Sequence, residues 1–128
     1  MGVRLGLAVL GLFHLVNGFA MLLWPSAWAA QVVHLAVPDY LNLHFVVDIA
    51  MAFLASGAGL MLGARGGARW AAAGATWPAL HALVHVRDWI VMGPPMATGD
   101  AWRDGVGVIL VGALGVTLAW LRTRQGAV

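Results

Sequence analysis

The chain has 128 residues, 62% of them hydrophobic and only 9% charged: seven arginines, no lysine, five aspartates and no glutamate. A soluble domain carries about a quarter charged residues, so this composition excludes an ordinary water-facing globule and points to one all-α domain in a membrane. No cysteine is present, which excludes disulfides, thiolate metal centres and dithiol redox chemistry.

The first apolar run, Leu5 to Trp24, follows a single Arg4. Ala27-Trp28-Ala29 resembles a signal-peptidase site, but the run is longer than the roughly 7–15 residues of a signal peptide's apolar core. His14 and Asn17 also interrupt it, so it is expected to be retained as transmembrane helix 1. Pro25 breaks that helix, and Pro38-Asp39 marks a turn before the next. Between them lies AWAAQVVHLAV, an outer loop (25–40) mildly amphipathic enough to rest on the membrane surface. His34 falls in that loop and carries no assigned role.

Leu41 to Ala64 is expected to be helix 2. Ala55, Gly59 and Gly63 give it the small-xxx-small spacing that lets membrane helices approach closely. After the basic turn Arg65-Gly-Gly-Ala-Arg69 comes helix 3, Trp70 to Gly93, with Pro78 inside it and Gly93-Pro94-Pro95 ending it. A polar loop leads to helix 4, Asp104 to Leu121, which opens on an acid suited to a helix N-terminus and is rich in glycine.

Four spans with short loops predict an integral membrane four-helix antiparallel bundle. Arg4, Arg65, Arg69, Arg122 and Arg124 then share one side, which the positive-inside rule places in the cytoplasm together with both termini. In a bacterium that is the inner membrane. The arginines sit at the ends of apolar runs rather than in a patch, which argues for topology and against a nucleic-acid partner. Trp70 to Trp89 spans about 28 Å at the α-helical rise, close to a hydrocarbon thickness.

The polar residues inside the spans carry the functional signal, because ionisable groups are costly in lipid and mark sites. His81, His85 and Asp88 fall on one helical stripe of ALHALVHVRDW, and His44 and Asp48 lie one turn apart in helix 2. Depth counting puts Asn17, Asp48 and His85 roughly 10 Å below the outer surface. The expected site is a transition-metal centre of His44, Asp48, His81 and His85, with Asn17 and Asp88 supporting it. Imidazoles and carboxylates suit copper, zinc or iron, and thioethers nearby favour copper. Met21, Met51 and Met92 fall on the same stripes, more as packing than as ligands.

Alternatives stay open at this stage. Haem b held between His14 and His81 is a competing cofactor. The polar cluster also fits a structural hydrogen-bond network in an accessory subunit, one whose glycine-rich faces dock on a larger membrane complex or on a second copy. A proton- or ion-coupled transport pathway is the remaining reading. The succession of a short helix ending in Trp-Pro, then NLHFVVDIAMAFLASGAGL, then ALHALVHVRDW resembles small bacterial membrane proteins of the DoxX-like, four-helix type. That resemblance implies a four-helix inner-membrane bundle and no settled activity.

Overall fold

The computed structural model describes residues 2–32, 40–96 and 98–125. Every regular element among them is helical: α1 (Gly2–Leu23), α2 (Pro25–Val32), α3 (Tyr40–Arg65), α4 (Ala68–Met92), α5 (Thr98–Trp102) and α6 (Val111–Gln125). Residues Arg103–Leu110 join α5 to α6 as π-helical turns. His34 and the Pro38-Asp39 turn lie outside the described residues.

The helices end where local chemistry ends them. Pro25 has no N–H and restricts Trp24, so α1 stops and α2 restarts with proline in its first turn. Gly93 takes φ 84°, a left-handed backbone open to glycine, and its N–H returns to the Trp89 carbonyl at 3.0 Å. The last helix begins at Thr98 rather than at the expected Asp104. Its first turns are tied by an Arg103–Asp100 ion pair of 2.8 Å, an i,i+3 spacing that the polar look of this segment concealed.

Three helices are long and apolar enough to cross a membrane: Gly2–Leu23, Asn42–Arg65 and the continuous run Gly99–Gln125. The sequence pattern on α1 is inverted relative to a soluble helix. Leu7, Gly11, His14, Gly18 and Met21 are buried, while Leu5, Val9, Leu12, Val16, Phe19 and Leu23 are exposed. Two glycines and a histidine face the protein beside Leu7 and Met21, and most of the large apolar residues face outward. α4 is as long as the others, at 25 residues, but carries His81, His85, Arg87 and Asp88 in its second half.

Close packing at glycines sets the arrangement. A Cβ on Gly11 would lie 3.0 Å from the Gly57 carbonyl oxygen, and one on Gly18 would lie 3.1 Å from that of Ala50. Gly59 meets Gly74, Gly63 meets Ala71, and Gly112 meets Pro78 and Ala82. Each pairing steps backward along one helix as it steps forward along the other. Two clusters form the core, one of Leu7, Leu60, Ala64, Ala71, Ala75 and Ala119 and the other of Met21, Ala29, Val46 and Ala50.

Arg122 is 7% exposed and does more than mark topology. Its Nε donates to the Gly63 carbonyl at 3.1 Å, and a terminal nitrogen donates to the Gly66 carbonyl at 2.7 Å. These carbonyls belong to the last turn of α3 and to the residue just past it, which have no partners within the helix. The guanidinium therefore caps α3 from α6.

Two changes test this packing in reversible SDS unfolding of the micellar protein. A Cβ on Gly74 would stand 2.5 Å from the Leu60 backbone nitrogen, so Gly74→Val should cost at least about 1–3 kcal/mol. Arg122→Met keeps the aliphatic stem but orphans two carbonyls and should cost about 1–3 kcal/mol. Wild-type stability in either variant would refute the corresponding contact.

Candidate functional site

The aromatic and imidazole rings form a continuous row through three helices. His14, on α1, is fully buried, and its Nδ1 donates to the Leu10 carbonyl at 2.9 Å. Its ring lies 5.4 Å from Phe53 of α3, which meets Trp77 of α4 edge-on at 4.9 Å. Trp77 stacks on His81 at 5.0 Å with an interplanar angle of 11°, and His81 meets His85 at 4.8 Å. Trp77, His81 and His85 share one stripe because they recur every four residues.

The row ends in a charged cluster. His85 Nδ1 lies 3.3 Å from Asp104 Oδ2 across the α4–π interface. Asp104 is also 3.7 Å from Arg103 Nε, and Arg103 reaches Asp100 and the Val32 carbonyl at the end of α2. A carboxylate beside Nδ1 favours the proton on that nitrogen and leaves Nε2 as an acceptor. Both side chains are largely buried, at 25% and 14% exposure. Their coupling is therefore screened less than that of a surface pair.

Beside this row lies a cavity of about 760 Å³ bounded by α1, α2, α3, α4 and the π turns, with an apolar wall and few polar groups. Phe45, Val46 and Ile49 line it from α3, Trp28 from α2, and Trp77 and Val84 from α4. His81, His85, Asp104, Arg103, Asn17 and Asn42 supply its polar atoms. Asn17 is held in place: Trp28 Nε1 donates to its Oδ1 at 3.4 Å, and its amide donates to the Phe13 carbonyl at 3.4 Å.

The π turns shape one wall. With an extra residue per turn relative to α-helix, such segments are rare and concentrate at functional sites. Here they bring Asp104, Gly107 and Val108 onto the cavity. Gly105 is needed for close approach, since a Cβ would meet the Trp89 ring at 3.1 Å. Gly107 has open space beside it.

Of the residues expected at the site, His81, His85 and Asn17 line the cavity. His44 and Asp48 pair with each other at 3.6 Å on the exposed side of α3, both near 60% exposed, and neither lines it. Asp88 turns to Arg87 at 2.9 Å on the surface. Among the described residues no three His or Asp side chains group where a metal ion could be held, so the four expected ligands are not brought together. His14 and His81 are not brought together either, because Phe53 and Trp77 stand between them in the row. Met21 is buried against the cavity, whereas Met51 and Met92 are exposed.

Sequence reasoning missed several contributors, among them Trp77, Phe53, Trp28, Asp104 and Arg103. Trp77 extends the histidine stripe by one turn, and that spacing was the available signal. Phe53 and Trp28 carry no pattern distinguishing them from other aromatic residues in apolar runs. Asp104 reads from sequence as a helix N-terminal acid; its pairing with His85 depends on the approach of two helices. No protein-family model, curated protein or solved structure matches the chain, so the DoxX-like resemblance rests on its sequence patterns alone.

The two carboxylate sites should respond differently to neutralisation. Asp104→Asn removes the charge facing His85 and Arg103 and should cost about 1–3 kcal/mol. Asp48→Asn loosens only an exposed i,i+4 pair and should change stability by less than about 0.5 kcal/mol. SDS titration of both variants measures this; equal effects would mean that His85–Asp104 is no more coupled than the surface pair.

Proposed function

We propose that this is a four-helix antiparallel membrane protein, seated in a bacterial inner membrane with both termini cytoplasmic, whose cavity binds a lipophilic small molecule. The ligand class is an apolar molecule with a hydroxyl or carbonyl group at one end. The observation that carries the reading is the cavity of about 760 Å³, which sets His81, His85, Asp104 and Arg103 at one side of an apolar and aromatic wall. Its volume falls in the roughly 300–1,000 Å³ range of small-molecule sites, and its make-up is the usual one: apolar lining with a few converging polar groups.

The roles follow from the residue chemistry. Trp77, Phe45 and Trp28 supply flat contact area for the body of the ligand. His85 Nε2 accepts a hydrogen bond from a ligand hydroxyl, with Asp104 fixing the tautomer. Arg103, a donor that never loses its charge, serves a carbonyl or another acceptor. His81 stands between Trp77 and His85 and adds a second polar atom to the same wall.

A metal ion in this cavity is the second reading. It is favoured by two histidines one turn apart, with Asp104 where a carboxylate commonly orients a ligating histidine. Copper, zinc or iron would then be held by His81 and His85.

4-Octylphenol and octylbenzene, titrated into nanodisc-reconstituted protein with tryptophan fluorescence as readout, test the first reading. Wild type should bind the phenol saturably. His85→Ala should weaken the phenol about tenfold, the value of one buried hydrogen bond, and leave octylbenzene unchanged. Gly107→Leu should remove binding of both, because the new side chain enters open space at the cavity wall. Equal signals from wild type and Gly107→Leu would overturn the cavity assignment. Elemental analysis of the same preparations tests the second reading, which requires stoichiometric metal that is lost in both His81→Ala and His85→Ala.

A further inference from the structure

The end of the molecule farthest from the cavity is charged in one sense only. Arg4 opens α1, Arg65 closes α3, Arg69 opens α4, and Arg122 and Arg124 close α6. The described carboxylates Asp48, Asp88, Asp100 and Asp104 all occur toward the other ends of their helices. The five arginines at this end are not equivalent. Arg122 is committed to the carbonyls of Gly63 and Gly66, and Arg124 lies over the Trp120 ring at 5.1 Å. Arg4 and Arg65 instead flank a groove of about 690 Å³ between α1 and α3. Neither has a carboxylate partner among the described residues.

The groove joins two chemistries. Its rim holds two guanidiniums and Gln125, and its floor is Leu5, Ala8, Met61 and Ala64, one turn further into the apolar spans. From Leu5 the exposed stripe continues along α1 through Val9 and Leu12. A free anion would use the rim and gain nothing from the floor. A molecule with a phosphate at one end and a hydrocarbon chain at the other uses both. Guanidiniums offer paired donors matched to phosphate oxygens, and basic pockets between helix ends are where anionic headgroups are held. We infer that the groove between Arg4 and Arg65 is a binding site for one anionic phospholipid, its phosphate between the two guanidiniums and an acyl chain along Leu5, Met61 and the outer stripe of α1.

The experiment counts lipids retained by the purified full chain in native mass spectrometry. The micellar protein is titrated with dioleoyl phosphatidylglycerol, dioleoyl phosphatidylcholine or inorganic phosphate. Wild type should retain one phosphatidylglycerol with about a tenfold preference over phosphatidylcholine, as expected for two guanidiniums acting at one phosphate. Arg4→Gln with Arg65→Gln should abolish the preference, while Arg69→Gln with Arg124→Gln, at the same end but outside the groove, should keep it. Equal retention of the two lipids by wild type overturns the proposal whatever the variants do, and so does equal loss in both double variants, which means diffuse surface charge. Displacement of phosphatidylglycerol by millimolar inorganic phosphate also overturns it, because the site is then a free-anion site. Octylphenol binding at the other end reports on a separate site, so failure of either proposal leaves the other standing.

Discussion

The whole arrangement depends on how closely helix backbones can approach where no side chain intervenes. At the arginine end α3 and α4 meet through Gly59 against Gly74 and Gly63 against Ala71, with Cβ positions that would fall within 3 Å of the neighbouring backbone. In an apolar solvent there is little hydrophobic gain in pressing one leucine against another, and dispersion between close backbones replaces it. The same small residues recur between α1 and α3 at Gly11 and Gly57. Bulky rings occur toward the other end, where Phe53, Trp28 and Trp77 stand between the helices. Tight seams continue beside the cavity, at Gly18 against Ala50 and Gly112 against Pro78 and Ala82, and the hollow opens where the rings stand.

Closing one end creates a second requirement. Where α3 stops at Arg65, its final carbonyls have no partner within the helix. Arg122 meets the demand from α6, and its burial is offset because its Nε and one terminal nitrogen each have a carbonyl to serve. At the hollow end the polar groups are linked in the same spirit. Asp104 lies between His85 and Arg103, and Arg103 continues to Asp100 and to the end of α2. A chain of mutually satisfied charges of this kind fixes the position of α2 and of the π turns against α4.

Much of this was legible in the sequence. The inverted pattern of Leu7, Gly11, His14, Gly18 and Met21 against a bulky outer stripe follows from helical spacing alone, and so do the helix ends at Trp24-Pro25 and Gly93. Depth counting set Asn17, Asp48 and His85 in one layer; Asn17 and His85 face one cavity, with His81 beside them, whereas Asp48 and His44 lie on the exposed side of α3. Depth fixes a residue's height along a helix and not its direction around it. One stripe of α3 carries Val46, Ala50 and Phe53 inward, and another carries His44 and Asp48 to the surface. Asp104 reads in sequence as a helix N-terminal acid, because its pairing with His85 depends on the approach of α4 and the π turns.

The π turns border the cavity, and Asp104, Gly107 and Val108 stand three and four residues apart, a spacing that keeps them on one wall of it. Wide turns sacrifice backbone hydrogen-bond geometry, and the segment has no fully buried residue to compensate through packing. It contains Gly105 and Gly107, which are poor helix formers, one of them beneath the Trp89 ring and the other beside empty space. A sequence selected only for a stable bundle would replace Gly107 with a larger residue, fill that space and gain both helix propensity and contact area. That the wall is left thin where it borders His85 and Asp104 is the strongest physical reason to read the hollow as a binding site rather than a packing defect.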